Sequence, residues 1–227
     1  MLQEKRLEKG DYLKTLSNKS FGIDHSLTSP AVCVLLPYDD DVPFVPLSHC
    51  QFHYFARTSR QAKCTHPSFT PHTYPPYLTD LGRFQSLAEW VVQCIGDCKS
   101  GGIEGYAFAA NGQITRIAES TGILKFLLHQ KDIALDAYSP SQIKKFATNK
   151  GRADKEQMAY SFTAIHGNGD VPLALEELLH CRLDASPCTD IVDSYFIASL
   201  NRILTLLNDE DMESPPPPKT KARRRKN

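Results

Sequence analysis

A chain of 227 residues, 41% hydrophobic and 23% charged, can bury one sizeable core and does not have the make-up of a disordered or fibrous protein. No apolar run approaches a membrane span, and the first residues (Met1 to Lys9) are charged where a secretory leader needs an apolar core, so a soluble protein without a standard signal is expected. The net charge of zero is uneven: six basic residues lie between Lys219 and Lys226, leaving 20 basic against 26 acidic residues in the rest of the chain.

Residues 1–18 are polar with weak periodicity and read as an N-terminal arm. Phe21 and Ile23 alternate with Ser20 and Gly22 up to Asp24, and Ala31 to Leu36 is a continuous apolar run bounded by Pro30 and Pro37. Two strands joined by a turn fit this pattern. Residues 37–79 hold seven of the fifteen prolines, which argues for an irregular insertion interrupted by one aromatic strand from Gln51 to Arg57. An irregular loop from Thr58 to Tyr77 is expected after it.

Phe84, Leu87, Ala88, Val91, Val92 and Ile95 mark the apolar face of an amphipathic helix, ended by Lys99-Ser100-Gly101-Gly102. A strand from Ile103 to Phe108 follows, then a helix with Ile114, Ile117, Ala118, Thr121 and Leu124 on one face, then a fifth strand from Ile133 to Tyr138. Ser139-Pro140 has the form of an N-cap with proline at the first helical position, and that helix should stop near Asn149-Lys150-Gly151. A further helix starts near Ala153, an irregular segment runs from Val171 to Pro187, and a long helix apolar on more than one side opens at Thr189. The order of elements predicts an α/β fold with a five-stranded mixed sheet flanked by helices, spanning residues 19–208. Residues 209–227, acidic, then Pro-rich, then basic, read as a disordered tail.

Four carboxylates sit where chemistry could use them. Asp24 ends the first strand, Glu104 lies in the strand after the long amphipathic helix, and Asp190 and Asp193, three apart, share one face at the start of the last helix. Acids there also cap a helix and complement its dipole, so Asp190 and Asp193 have a purely structural explanation as well. Converging carboxylates suit hard divalent cations and two-metal phosphodiester cleavage. Spacing alone does not separate these four from Asp80, Asp97, Asp136 or Asp184.

Gly22-Ile23-Asp24, Ile103-Glu104, Ser141-Gln142-Ile143-Lys144 with Gly151-Arg152-Ala153-Asp154-Lys155-Glu156-Gln157, and Asp190-Ile191-Val192-Asp193-Ser194 occur in that order. The series resembles the RuvC family of Holliday junction resolvases, with the block from Gln142 to Gln157 its most specific part. The resemblance implies an RNase H-like fold and a structure-selective endodeoxyribonuclease of DNA recombination and repair, acting as a homodimer on four-way junctions. Asp24, Glu104, Asp190 and Asp193 would then hold two Mg²⁺ ions, with Mn²⁺ as a substitute. Lys144 and Lys155 match lysines placed near the DNA backbone, and Lys145, Arg152, Tyr106 and Phe108 complete the DNA-binding candidates it implies. Asp24 is followed by His25-Ser26 where bacterial members continue Pro-Gly, so broader branched-DNA cleavage and a non-catalytic nucleic-acid-binding module stay open. A compartment containing DNA is expected, with the basic tail compatible with a nuclear one.

His49, Cys50, His53, Cys64 and His66 cluster in sequence without the spacing of a standard zinc finger. The seven cysteines are an odd number without framework spacing, which predicts reduced thiols.

Overall fold

The computed structural model describes residues 19–38, 43–105, 114–167 and 175–213, with side chains up to residue 207. Six strands form one mixed sheet: β1 (Ser20–Asp24), β2 (Ala31–Leu35), β3 (Cys50–Phe55), β4 (Phe69–His72), β5 (Ser100–Glu104) and β6 (Ala134–Tyr138), in the spatial order β4-β3-β2-β1-β5-β6. β1, β2 and β3 pair antiparallel, while β4 runs parallel to β3, β5 to β1 and β6 to β5. Among the described residues six α-helices flank the sheet: α1 (Asp80–Ile95), α2 (Ile114–His129), α3 (Pro140–Thr148), α4 (Lys155–His166), α5 (Leu175–Leu179) and α6 (Cys188–Glu213). Among the described residues no helix is long and apolar enough to cross a membrane.

The expectation of five strands needs correction, because β4 lies inside the stretch from Thr58 to Tyr77 that its prolines mark as irregular. Phe69 pairs with Phe52 on β3 and their rings stack at 4.8 Å. Pro71 is tolerated because β4 is an edge strand, with one side free of any ladder to which a missing N–H would matter. A second correction concerns Ser100 to Gly102, which belong to β5, since α1 ends at Ile95, five residues before Ser100. Their smallness serves packing: a Cβ on Gly101 would meet the Phe21 ring at 2.4 Å, and one on Gly102 the Tyr138 ring at 2.7 Å. The short helix α5 lies in the segment read as irregular, and α6 continues to Glu213, past the boundary drawn at residue 208. The arm at 1–18 and the tail from 214 onward fall outside the described residues.

Strand alternation sorts the core into two layers. Phe21, Ile23, Val32, Val34 and Phe55 point to α1 and α2, where they meet Phe84, Leu87, Val91, Ile95, Leu124 and Leu128. Ala31, Cys33, Leu35, Phe52 and Tyr54 point the other way, to α4 and α6, against Phe162, Ile191, Tyr195 and Phe196. β2 therefore has both faces covered, which is why it reads as an unbroken apolar run. Not all cysteines are free thiols, as the spacing suggested: Cys181 and Cys188 form a disulfide that ties the loop after α5 to the first residue of α6.

α6 packs on β1 backbone to backbone. A Cβ on Gly22 would lie 2.2 Å from the Ser194 carbonyl oxygen and 2.3 Å from the Ala198 nitrogen, both backbone atoms that no rotamer change can move. Gly22→Ala should therefore cost more than about 2 kcal/mol. Urea unfolding checks this, and an unchanged midpoint would show that the helix can retreat without loss.

Candidate active site

Asp24 and Glu104 are the last residues of two adjacent parallel strands, each one position beyond the paired Ile23 and Ile103. They stand together at the carboxyl ends of the strands, where α/β sheets place their ligands. The crossing at Gly22 lays the first turns of α6 over the same strand end, so Asp190 and Asp193 arrive from above. Asp190 is buried, 8% exposed. Its Oδ1 accepts from the Thr189 hydroxyl at 3.1 Å, while Oδ2 has no partner. It lies inside the first turn rather than at the N-cap and binds no helix amide, so capping does not account for it.

Two capping boxes deliver the lysines. Ser139 and Gln142 close one around the start of α3, with Pro140 in its first turn. Asp154 and Gln157 close the other around the start of α4. Much of the block from Gln142 to Gln157 is thus helix-starting chemistry, with Ile143 and Ala153 buried beneath it. What it presents is Lys144 and Lys155, which line a cleft of about 240 Å³ with Glu104, Asp193, Thr189 and Pro140. Lys145 and Arg152 are exposed and do not line this cleft. Tyr106 and Phe108 fall outside the described residues.

The acids feel one another. Burial, then Asp190, Asp193 and Glu104, hold the Asp24 carboxyl well above the usual range, with Lys155 opposing. Burial together with Glu104 and Asp190 pushes Asp193 up to about 7 against the pull of Lys144 and Lys155. Glu104 is raised by burial, opposed by Lys144. The acids that spacing could not separate from these are otherwise engaged: Asp80 pairs with Arg116, Asp97 with Lys19 and Asp184 with Arg182, while Asp136 accepts from Asn201. Among the described residues Asp24, Glu104 and Asp193 have no such salt bridge.

An all-oxygen donor set, an unpartnered buried carboxylate oxygen and a surplus of negative charge fit hard divalent cations. Among the described residues no three of these acids bring oxygens all within 4.8 Å of one another. Two residues here escaped sequence reading. Thr189 hydrogen-bonds Asp190 and lines the cleft, and His25, buried beside Asp24, meets the Ser120 hydroxyl of α2 at 3.0 Å through Nε2. Adjacency to the motif acids was the available signal for both.

The sequence cluster of His49, Cys50, His53, Cys64 and His66 does not converge as a set. The Cys50 thiol points at the Val45 and Pro46 carbonyls, and His49 meets the Ser48 hydroxyl. His66 accepts from the Ser68 amide. His53 turns instead to His72.

No family model matches the chain. It is 28% identical over 101 residues to the crossover junction endodeoxyribonuclease RuvC of Corynebacterium diphtheriae, covering 43% of this chain and 62% of that protein. It is 34% identical over 59 residues to RuvC of Corynebacterium glutamicum, covering 26% of this chain and 27% of that protein. The matched stretches thus span from about a quarter to three-fifths of these relatives. Among solved structures, Thermus thermophilus RuvC in complex with Holliday junction substrate superposes with a TM-score of 0.54 at 18% identity, covering 84% of this chain and 96% of that one. The yeast mitochondrial Holliday junction resolvase Ydc2 superposes with a TM-score of 0.50 at 13% identity, over 93% and 92% of the two chains. The chain shares the fold of these RuvC structures and is weakly similar to RuvC by sequence.

Crowding like charges costs stability, and the sign follows from the raised carboxyl. Folded Asp193 holds its proton more readily than the unfolded chain does, so its ionised form subtracts stability above about pH 7 and nothing below about pH 4. In EDTA, Asp193→Asn should be more stable than the wild type by about 1–3 kcal/mol at pH 8, and the gap should close on acidification and on adding Mg²⁺. Thermal melts at pH 4, 6 and 8 check this; an Asn variant less stable at pH 8 would contradict the electrostatic account.

Proposed function

We propose that this protein is a Mg²⁺-dependent endonuclease that resolves four-way DNA junctions. The observation that carries the reading is a cleft lined by Glu104, Asp193, Lys144 and Lys155, with the buried Asp24 and Asp190 close enough to raise the carboxyls they adjoin, on a RuvC-type fold. The four acids hold the metal ions. Bound Mg²⁺ supplies a water of lowered pKa and neutralises charge at the scissile phosphate. Lys144 and Lys155 contact that phosphate and offset the acids when the strand enters, while exposed Lys145 and Arg152 meet flanking phosphates and set the register of the DNA. Thr189 steadies the buried Asp190.

Cleavage of a labelled synthetic four-way junction, beside a linear duplex and a flap, tests the reading. Paired symmetric nicks confined to the junction are expected, abolished by EDTA and lowered on the order of 10²–10³ or more in Asp24→Asn, and about tenfold to hundredfold in Lys155→Ala. Equal cutting of all branched substrates would replace junction resolution with a broader nuclease. Tight binding without cutting in any metal would leave a binding module.

Symmetric incision of a two-fold junction needs two sites, and hence two copies. An exposed apolar face supports the place where they meet: Leu81 of α1 is 67% exposed and Phe126 of α2 59%, flanking a depression lined by Phe84, Gly122 and Ile123. Phe126→Glu should yield a folded monomer that nicks one strand without the paired second cut. Sedimentation with strand-resolved cleavage checks this, and an undisturbed dimer would move the interface elsewhere.

A further inference from the structure

We propose that His53, His72 and Cys94 form a second metal site, separate from the acidic cleft, that takes a zinc-class ion through two imidazoles and one thiolate. The three residues come from three elements. His53 lies on β3 and His72 on β4, with His53 opposite Thr70 and Phe55 opposite His72, so both rings rise from the same face of neighbouring parallel strands. Their facing nitrogens, Nδ1 of His53 and Nε2 of His72, are 3.1 Å apart. Two nitrogens on one tetrahedral zinc, each about 2.0–2.1 Å from the metal, stand roughly 3.3 Å from each other. Cys94 belongs to α1, one turn after Trp90, whose indole covers Phe55 with ring centroids 4.4 Å apart and His72 at 5.6 Å. That packing sets the helix over the histidine pair, and the two nitrogens and Sγ all lie within 4.8 Å of one another.

A hydrogen bond between the two rings would account for the histidines but leaves the converging thiol unexplained. A metal accounts for all three. The donor set is nitrogen and sulfur without a carboxylate, which selects zinc and related ions over Mg²⁺, the reverse of the acidic cleft. All three side chains are half-buried, so the position is not sealed from solvent, which can supply a water as fourth ligand. Binding is not a redox step: the Cys94 Sγ–H bond breaks, its proton leaves to solvent, and an Sγ–metal bond forms. The ion would staple the short edge strand β4, weakened by Pro71, to β3 and to α1.

The test is Co²⁺ titration of the full-length chain. One equivalent should produce intense tetrahedral d–d bands and a thiolate-to-cobalt charge-transfer band, both abolished by Zn²⁺. Cys94→Ser should lose the charge-transfer band, and His72→Asn should weaken binding at least about tenfold. Asp193→Asn should keep the whole spectrum, so the nuclease reading and this one stand or fall separately. Zn²⁺ should raise the wild-type Tm in a concentration-dependent way, and much less that of Cys94→Ser. Absence of the charge-transfer band in the wild type, which needs no variant to fold, would overturn the proposal. So would its persistence in Cys94→Ser.

Discussion

The backbone-to-backbone approach of α6 and β1 at Gly22 is the contact on which the rest of the structure depends. From Ile191 to Asn201 every residue of α6 except Asp193 is buried, so the helix has no freedom to slide or turn. Ser194 and Ala198 on the helix and Gly22 on the strand are all small, which brings the two elements as close as their backbones permit. Two carboxylates near the helix N-terminus and one at the strand end are then pressed together by apolar packing, not by any attraction of their own. The helix dipole eases this by placing its positive end among the acids, but dipole terms of about 0.3–1 kcal/mol do not cancel a cluster of buried like charges. The core bears that strain.

Each of these carboxylates that ionises adds to a negative charge that only Lys144 and Lys155 oppose, and a negative surface repels a phosphodiester strand. On the proposed function, divalent cations would invert that sign and leave the same surface attractive to DNA. Metal loading on this reading decides whether the strand enters as well as whether it is cut. On the proposed function the lysines would have a matching double use, opposing the acids' charge before the substrate arrives and contacting the phosphate afterwards. The capping boxes that start their helices would give such a group a fixed base.

Legibility in the sequence followed local physics. The 3.6-residue rhythm of Phe84 to Ile95, the cap at Ser139-Pro140 and the unbroken apolar run of β2 each record a constraint acting within one element, and each was read from the residues. β4 was hidden because proline and histidine are poor strand signals, and only the edge position and the stack on Phe52 make Phe69–His72 a strand. Gly101 and Gly102 looked like a helix terminator because nothing local says that Phe21 and Tyr138 need their space. In the sequence only their order in a family pattern singles out the four acids, since spacing offers equal rivals. The physical distinction, that Asp80, Asp97 and Asp184 each have a cationic partner, exists only in three dimensions. The Cys181–Cys188 bond and the meeting of His53 with His72 and Cys94 are likewise tertiary facts.

The Pro-rich stretch between β2 and α1 reads as an insertion, yet its packing makes it part of the site's foundation. Phe44 lies against Phe146, Tyr195 and Phe196, with ring centroids 5.2, 6.5 and 6.0 Å away. The Tyr195 hydroxyl donates to the Val45 carbonyl at 3.1 Å, and Arg202 donates to the carbonyl of Tyr38. Phe146 is two residues beyond Lys144, and Tyr195 two beyond Asp193. The stretch therefore supports α3 and α6 from below, directly behind the side chains that face the cleft. Prolines suit that task because they lower the entropy a segment without regular structure loses on becoming fixed. A buried support needs a defined path more than it needs a ladder of hydrogen bonds.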